Sequence, residues 1–173
     1  TEHFLADAQG RDNVATASMA MDGEGRFLAL KVELIANMGA YISQYAPSIP
    51  VIGVSMSTGV YDIGAFDVSV TGVYTNTSPV DAYRGAGRPE AALLLEKLAD
   101  ACARDLGLGY DEIRRRNFIR PENFPYVTPA GRKYDVGEFA GHMDRAIERS
   151  DWHAFEERLA QSKAKGRIRG LGM

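Results

Sequence analysis

Between Val14 and Asn37 the chain alternates. Ala15, Ala17, Met19 and Met21 are interleaved with Thr16, Ser18 and Ala20, and Leu28, Leu30, Val32, Leu34 and Ala36 with Ala29, Lys31, Glu33 and Ile35. A period of two puts successive side chains on opposite faces, so each run reads as a strand with one buried face. Asp22-Gly-Glu-Gly25 between them offers turn chemistry, with two glycines free to take positive φ. Residues 14–37 are therefore predicted to form a β-hairpin. Alternation returns at Phe66, Val68 and Val70 and predicts a strand over 66–75, with a bulge or a close approach at Gly72. The stretch between, 38–65, is punctuated by Gly39, Pro47, Pro50, Gly53, Gly59 and Gly64. A short helix after Pro50 fits its apolar residues, but Gly53 and the β-branched neighbours weaken it.

From Pro89 the period becomes helical. Leu94, Leu98 and Cys102 recur at four-residue spacing, and Leu95, Ala99 and Ala103 form a second row. So wide an apolar surface predicts a core helix over 89–106, buried on most sides. Pro89 and Glu90 suit its first turn, and Gly107 suits its end. A short helix is predicted over 111–117, and a small hairpin between Phe124 and Tyr134 around Thr128-Pro-Ala-Gly131. Asp135 and Glu138 have the spacing of a capping box. Helices are expected within 136–165, one burying Phe139, Met143, Ala146 and Ile147, the next Trp152, Phe155 and Leu159, with a last strand after Gly166. Hairpins and irregular alternation predict an α+β fold, a mixed sheet packed with several helices, rather than a regular βαβ array.

Composition narrows the function classes. With 173 residues, 45% of them hydrophobic, the chain can bury a real core. Its net charge of −3 gives no field to gather nucleic acid or an anionic membrane surface. Arg114-Arg115-Arg116 reads as a solvated helix face beside Asp111 and Glu112. No apolar run approaches the roughly 18 residues of a membrane span. The single cysteine, Cys102, forms no internal disulfide, which makes a cytoplasmic location the expectation. Its place in the apolar helix reads as a small buried hydrophobe. No His or Cys pair has metal-ligand spacing. The chain begins on Thr1 and stops at Met173 within a strand-like run, as a segment of a longer protein would.

The chemistry concentrates in Asp81-Ala-Tyr-Arg-Gly-Ala-Gly-Arg-Pro-Glu90. A strand leads in, a glycine-rich turn follows, and a helix begins. The first N–H groups of a helix lack partners, and the dipole adds positive charge. Gly85 and Gly87 let a ligand approach the backbone, and Arg84 and Arg88 carry forked donors. Such a loop suits an anion or an oxo group, and it is equally what a helix-entry turn with solvated arginines looks like. It is not a dinucleotide fingerprint, because Pro89-Glu90 occupies the place of the third glycine. Nor is it a P-loop, because no Lys-Ser/Thr follows.

The run Ala82-Tyr-Arg-Gly-Ala-Gly-Arg-Pro-Glu-Ala91 resembles the signature loop of the molybdenum-binding large subunit in the xanthine dehydrogenase, aldehyde oxidase and aerobic carbon monoxide dehydrogenase family. Glu2-His-Phe-Leu5, Gln9-Gly-Arg-Asp12, Asn37-Met-Gly-Ala-Tyr41, Asp111 to Ile119, Phe124-Pro-Tyr126, Thr128-Pro-Ala-Gly131, Tyr134-Asp135 and Gly166 to Gly172 follow in the family's order. The resemblance implies a fragment of a molybdopterin-binding domain. It also implies a molybdenum–pyranopterin cofactor, in its cytosine dinucleotide form, in the complete subunit. Electrons would leave the small-molecule substrate through a [2Fe-2S] subunit and an FAD-binding subunit. The loop matching Tyr83, Arg84, Gly85, Ala86 and Gly87 lies beside the molybdenum in that family, its backbone N–H groups facing the oxygens around the metal.

Departures from the family pattern bear on substrate. Carbon monoxide dehydrogenases carry a cysteine here that bridges copper to molybdenum, and Gly85 stands in its place. Xanthine enzymes carry an aromatic residue at the position of Ala86, and their substrate arginine has no counterpart, since residues 42–66 contain no arginine. Aldehyde or N-heterocycle oxidation is therefore expected ahead of carbon monoxide or purine oxidation. The family's glutamate base lies outside these residues. Glu33, Glu90 and Glu138 read as strand surface, helix N-terminus and cap, so no catalytic residue is assigned within the chain. By itself the chain is expected to bind no molybdenum and to be inactive. The alternative is a non-catalytic module that keeps the scaffold for cofactor or partner binding.

Overall fold

The structure, a computed structural model, describes residues 2–173. In chain order it contains α1 (His3–Ala6), β1 (Asn13–Met21), β2 (Phe27–Gly39), α2 (Ser48–Val54), β3 (Ala65–Tyr74), α3 (Arg88–Leu106), α4 (Tyr110–Asn117), β4 (Tyr126–Val127), β5 (Lys133–Tyr134), α5 (Phe139–Ser150) and α6 (Phe155–Ala164). The architecture is α+β. β1 and β2 pair antiparallel with Val14 opposite Ile35, and β2 pairs parallel with β3 from Ala29 and Ala65 onward. The three strands form a mixed sheet in the order β1-β2-β3. A parallel partner needs a crossover rather than a tight turn. Residues 40–64, with α2 inside them, supply it.

Phe27, Leu30 and Val32 on the sheet meet Leu95, Ala99, Cys102 and Ala103 on α3 in one core, which also takes in Tyr61, Ile63 and Ile113. On β2 alternation located this face with one exception, while on β1 and β3 Ala15 and Val68 of the alternating rows are exposed. Leu28 is 51% exposed and Phe27 is buried. The register shifts there: Met21 faces Phe27 while Ala20 faces Ala29, leaving Leu28 as the extra residue of a bulge. An extra residue changes the face on which the next side chain lies. At Gly72 a close approach is found, since a Cβ there would lie 3.3 Å from the Met38 side chain.

Four further expectations are corrected. α3 is not buried on most sides: its inner row is buried, but Leu94 and Leu98 are half-buried and Leu93 is 63% exposed. The outer row borders a cavity of about 660 Å³ that opens between α2, α3 and the hairpin, past Leu34, Leu94 and Leu98. The cap of α5 is Glu138, not Asp135; its Oε1 accepts from Gly141 N–H at 3.2 Å, and residues 135–138 are non-helical. Residues 167–173 form no strand, because a strand needs a neighbouring strand to bond to and none among the described residues lies beside them; Arg167 N–H donates instead to Ser162 O at 2.9 Å.

The fourth correction is the arginine triplet. Arg114 is 3% exposed. Its guanidinium donates to Glu96 and Asp100 on α3, each at 2.9 Å, and to Tyr110 O within α4. Glu96 also accepts from the Tyr61 hydroxyl at 3.0 Å. Burial, with the neighbouring Glu96 carboxylate, pushes the Tyr61 hydroxyl well above its ordinary pKa. Arg115 pairs with Asp144, and Arg116 with Glu112. Arg114 alone leaves the solvated face and joins α4 to α3; Arg115 remains exposed, and Arg116 pairs along α4 itself.

Candidate cofactor-binding loop

The segment after β3 is tied down before it reaches the loop. Ala40 N–H donates to Thr77 O at 3.0 Å, and Val80 N–H donates to Met38 O at 3.4 Å. From the other side, Gln9 N–H donates to Pro79 O at 2.9 Å and Asp81 N–H donates to Gln9 O at 2.8 Å. Asn37, 8% exposed, is the node beneath. Its amide donates to Asp12 at 2.6 Å and Thr77 at 3.0 Å, and its carbonyl accepts from Gly39 N–H and the Thr75 hydroxyl, both at 2.7 Å. A buried amide with its groups paired holds one geometry. It fixes the end of β2, the exit of β3 and residues 9–12 relative to one another.

The loop then takes a backbone that few sequences tolerate. Gly85, Ala86 and Gly87 have φ of +95°, +45° and +89° in succession. Ala86 N–H donates to Tyr83 O at 2.7 Å, and Arg88 N–H donates to Gly85 O at 3.1 Å. The N–H groups of Arg84, Gly85 and Gly87 have no hydrogen-bond partner among the described residues. Gly87 is required by packing as well as by φ. A Cβ there would lie 2.3 Å from Ile49 O, and one at Gly53 would lie 2.6 Å from Gly87 O. The start of α3 thus rests backbone to backbone on α2, which explains a glycine within that short helix.

Side chains surround the turn unevenly. Tyr83 is 63% exposed. The Arg11 guanidinium lies 4.7 Å from the centre of its ring. Arg11 Nη2 also donates to Arg84 O at 2.5 Å, and its Nε lies 3.8 Å from Glu90 Oε1. The other Glu90 oxygen is buried without a hydrogen-bond partner among the described residues. The Arg88 side chain turns back to Gly85 O at 3.2 Å.

All five residues predicted for this site, Tyr83 to Gly87, therefore lie in one turn, but they offer different things. Ala86 uses its N–H inside the loop. Arg84 and Gly85 are exposed with free donors, and Gly87 is buried with one. An unpaired buried N–H is costly, and a row of donors without acceptors favours negative charge. The chemistry of this donor set fits the anionic, oxygen-rich edge of a molybdenum–pyranopterin. Among the described residues no group of three His, Cys, Asp or Glu side chains gathers to hold a metal ion.

The remaining candidates have structural partners. Glu33 pairs with Lys31 at 2.8 Å, and Glu138 caps α5. Cys102 is 5% exposed, and burial pushes its thiol pKa up, which keeps it protonated and inert. Arg11 and Asn37 are the supporting residues that sequence reasoning missed. Arg11 falls in a segment singled out only by family resemblance and Asn37 at the end of the predicted hairpin, and no spacing rule links either to the loop.

The family model of the molybdopterin cofactor-binding domain matches residues 1–118. The gamma subunit of the 6-hydroxypseudooxynicotine dehydrogenase complex of Paenarthrobacter nicotinovorans is 32% identical over 99% of this chain and 22% of its own length. The carbon monoxide dehydrogenase large chain of Hydrogenophaga pseudoflava is 36% identical over 94% of this chain and 21% of its own. Among solved structures, quinoline 2-oxidoreductase from Pseudomonas putida 86 superposes with a TM-score of 0.88 at 34% identity, covering 95% of this chain and 21% of that one. The chain thus spans about a fifth of the length of these relatives. Sequence and fold agree that the chain belongs to the molybdopterin cofactor-binding domain family.

Proposed function

We propose that the chain is part of the molybdenum-binding subunit of a molybdenum hydroxylase. In this reading Tyr83, Arg84, Gly85, Ala86 and Gly87 form its edge against a pyranopterin cofactor of the cytosine dinucleotide form. The observation that carries it is the left-handed run at 85–87, with the N–H groups of Arg84, Gly85 and Gly87 without a hydrogen-bond partner among the described residues. When bound, the cofactor supplies the two-electron oxidation of the substrate carbon. The chain's own part is to hold fixed donors where negative charge accumulates. Preorganised dipoles of this kind need no rearrangement during the reaction, and each such donor is typically worth about 10²- to 10³-fold in rate. An FAD-binding subunit and a [2Fe-2S] subunit complete the electron path in this reading. A cytoplasmic location goes with it, supported by the lone, buried thiol.

The substrate class proposed is an N-heterocycle or an aldehyde rather than carbon monoxide. Gly85 offers no thiolate for copper. Its backbone also disfavours one, since φ is +95° and a Cβ would lie 2.5 Å from Pro89 Cγ. A turnover screen of the intact complex with quinoline, benzaldehyde and carbon monoxide tests this. Oxidation of an organic substrate with none of carbon monoxide is the expected outcome, and measurable carbon monoxide oxidation would overturn it.

A further inference from the structure

Arg11 itself sits at φ +59°, a left-handed conformation uncommon outside glycine. Both of its flanks are anchored. Gln9 bonds to Pro79 and Asp81, and Asp12 accepts from the Asn37 amide and from Asn37 N–H. Its neighbour Gly10 approaches the loop so closely that a Cβ would lie 2.8 Å from Tyr83 Cβ. From this fixed base the guanidinium makes three contacts on the loop and its helix: the Arg84 carbonyl, the face of Tyr83, and Glu90 in the first turn of α3. Strain that persists where the surroundings over-determine it points to a purpose for the held side chain.

The purpose follows from peptide geometry. The bond between Arg84 and Gly85 is planar and trans, so its C=O and N–H point in opposite directions. A guanidinium holding the carbonyl oxygen fixes the whole plane. The N–H of Gly85, which has no partner among the described residues, is then presented on the side away from Arg11. Gly85 has wide φ,ψ freedom and would otherwise let this peptide rotate.

We infer that Arg11 is a positioning residue that locks the 84–85 peptide and so aims the Gly85 N–H at the cofactor's anionic edge. This rests on the reading of the loop as cofactor-facing. Lysine would keep the charge but lose the planar fork that reaches the Arg84 carbonyl while lying over the Tyr83 ring. Methionine would keep a stem of comparable bulk and lose every donor.

The test uses the intact, cofactor-loaded complex with Arg11→Met, Arg11→Lys and Gly85→Ala. Hydrogen–deuterium exchange of the peptide spanning 82–88 and the Mo(V) paramagnetic resonance line shape are read alongside the melting temperature. Arg11→Met is expected to speed exchange of this peptide about tenfold or more and to alter the line shape, with the melting temperature within a few degrees of wild type. Arg11→Lys is expected to fall between, and it carries the test alone if the methionine variant does not assemble. If Gly85→Ala changes the line shape while the Arg11 variants leave both exchange and line shape at wild type, the role of Arg11 is overturned and the loop reading stands. If no variant changes the line shape, the loop reading itself falls.

Discussion

At Gly87 the backbone of α3's approach lies so close to α2 that a methyl group has no room. The obstruction is backbone, Ile49 O and the Gly53 Cα, which cannot swing aside as a long side chain would. Gly87→Ala also meets a φ of +89°. The conformational term alone is worth about 1–3 kcal/mol, and relief requires α2 and α3 to part. The expected outcome is a lower melting temperature of the intact protein together with lost molybdenum, because the parted helices carry the loop out of place. Full molybdenum content in Gly87→Ala would show that the loop's position does not matter. The glycines at 85 and 87 stood out in the sequence as places where a ligand could approach the backbone, but the positive φ of both and the close packing of Gly87 on α2, which also require glycine, were not read there. That Ala86 would join them at +45° was not legible either, because alanine has no preference for that region.

Among elements, α3 decides where the loop sits, and its attachments are unequal. Its inner row packs on the sheet, where Leu95 and Ala99 are buried. Its flank is held to α4 by Arg114, which bridges Glu96 and Asp100. Arg114→Met keeps the bulk and removes the fork. Deleting one partner of a buried ionic network typically costs about 3–5 kcal/mol. Here Glu96 and Asp100 are 37% and 35% exposed and regain some water, so about 2–4 kcal/mol is expected, read as a lowered denaturation midpoint of the intact protein. A loss below 0.5 kcal/mol, as for an ordinary surface site, would show that α4 is held by packing alone. The three strands of the sheet, α3 and the turn at 128–131 were legible because periodicity and turn chemistry act locally; the strand expected after Gly166 failed because a strand also needs a partner. The burial of Arg114 was not, because its acids stand 14 and 18 residues upstream and only the packing of α4 on α3 brings them together. The register of β2 escaped for a similar reason: the bulge at Leu28 comes from closing the hairpin, and the alternation on either side of it looks unbroken.

For the whole molecule, the sequence carried more about identity than about geometry. The ordered series of short motifs pointed to the family before any contact was known, and the fold explains why they form a set. Gln9 to Asp12, Asn37 to Gly39 and the 75–81 segment converge beneath the loop through hydrogen bonds among residues far apart in the chain. Spacing alone gave no sign of that convergence, so the loop was found and its supports were not. Half-buried Leu94 and Leu98 and exposed Leu93 mark where the chain alone leaves apolar surface uncovered, consistent with spanning about a fifth of its relatives' length. In the proposed reading, the intact protein carries a molybdenum cofactor against the Tyr83–Gly87 loop, and Gly85 leaves that centre without copper. Metal analysis of the intact protein, purified in its complex, tests the presence of molybdenum and the absence of copper together. Stoichiometric molybdenum without copper is the predicted result; absence of molybdenum, or copper at parity with it, would contradict the account.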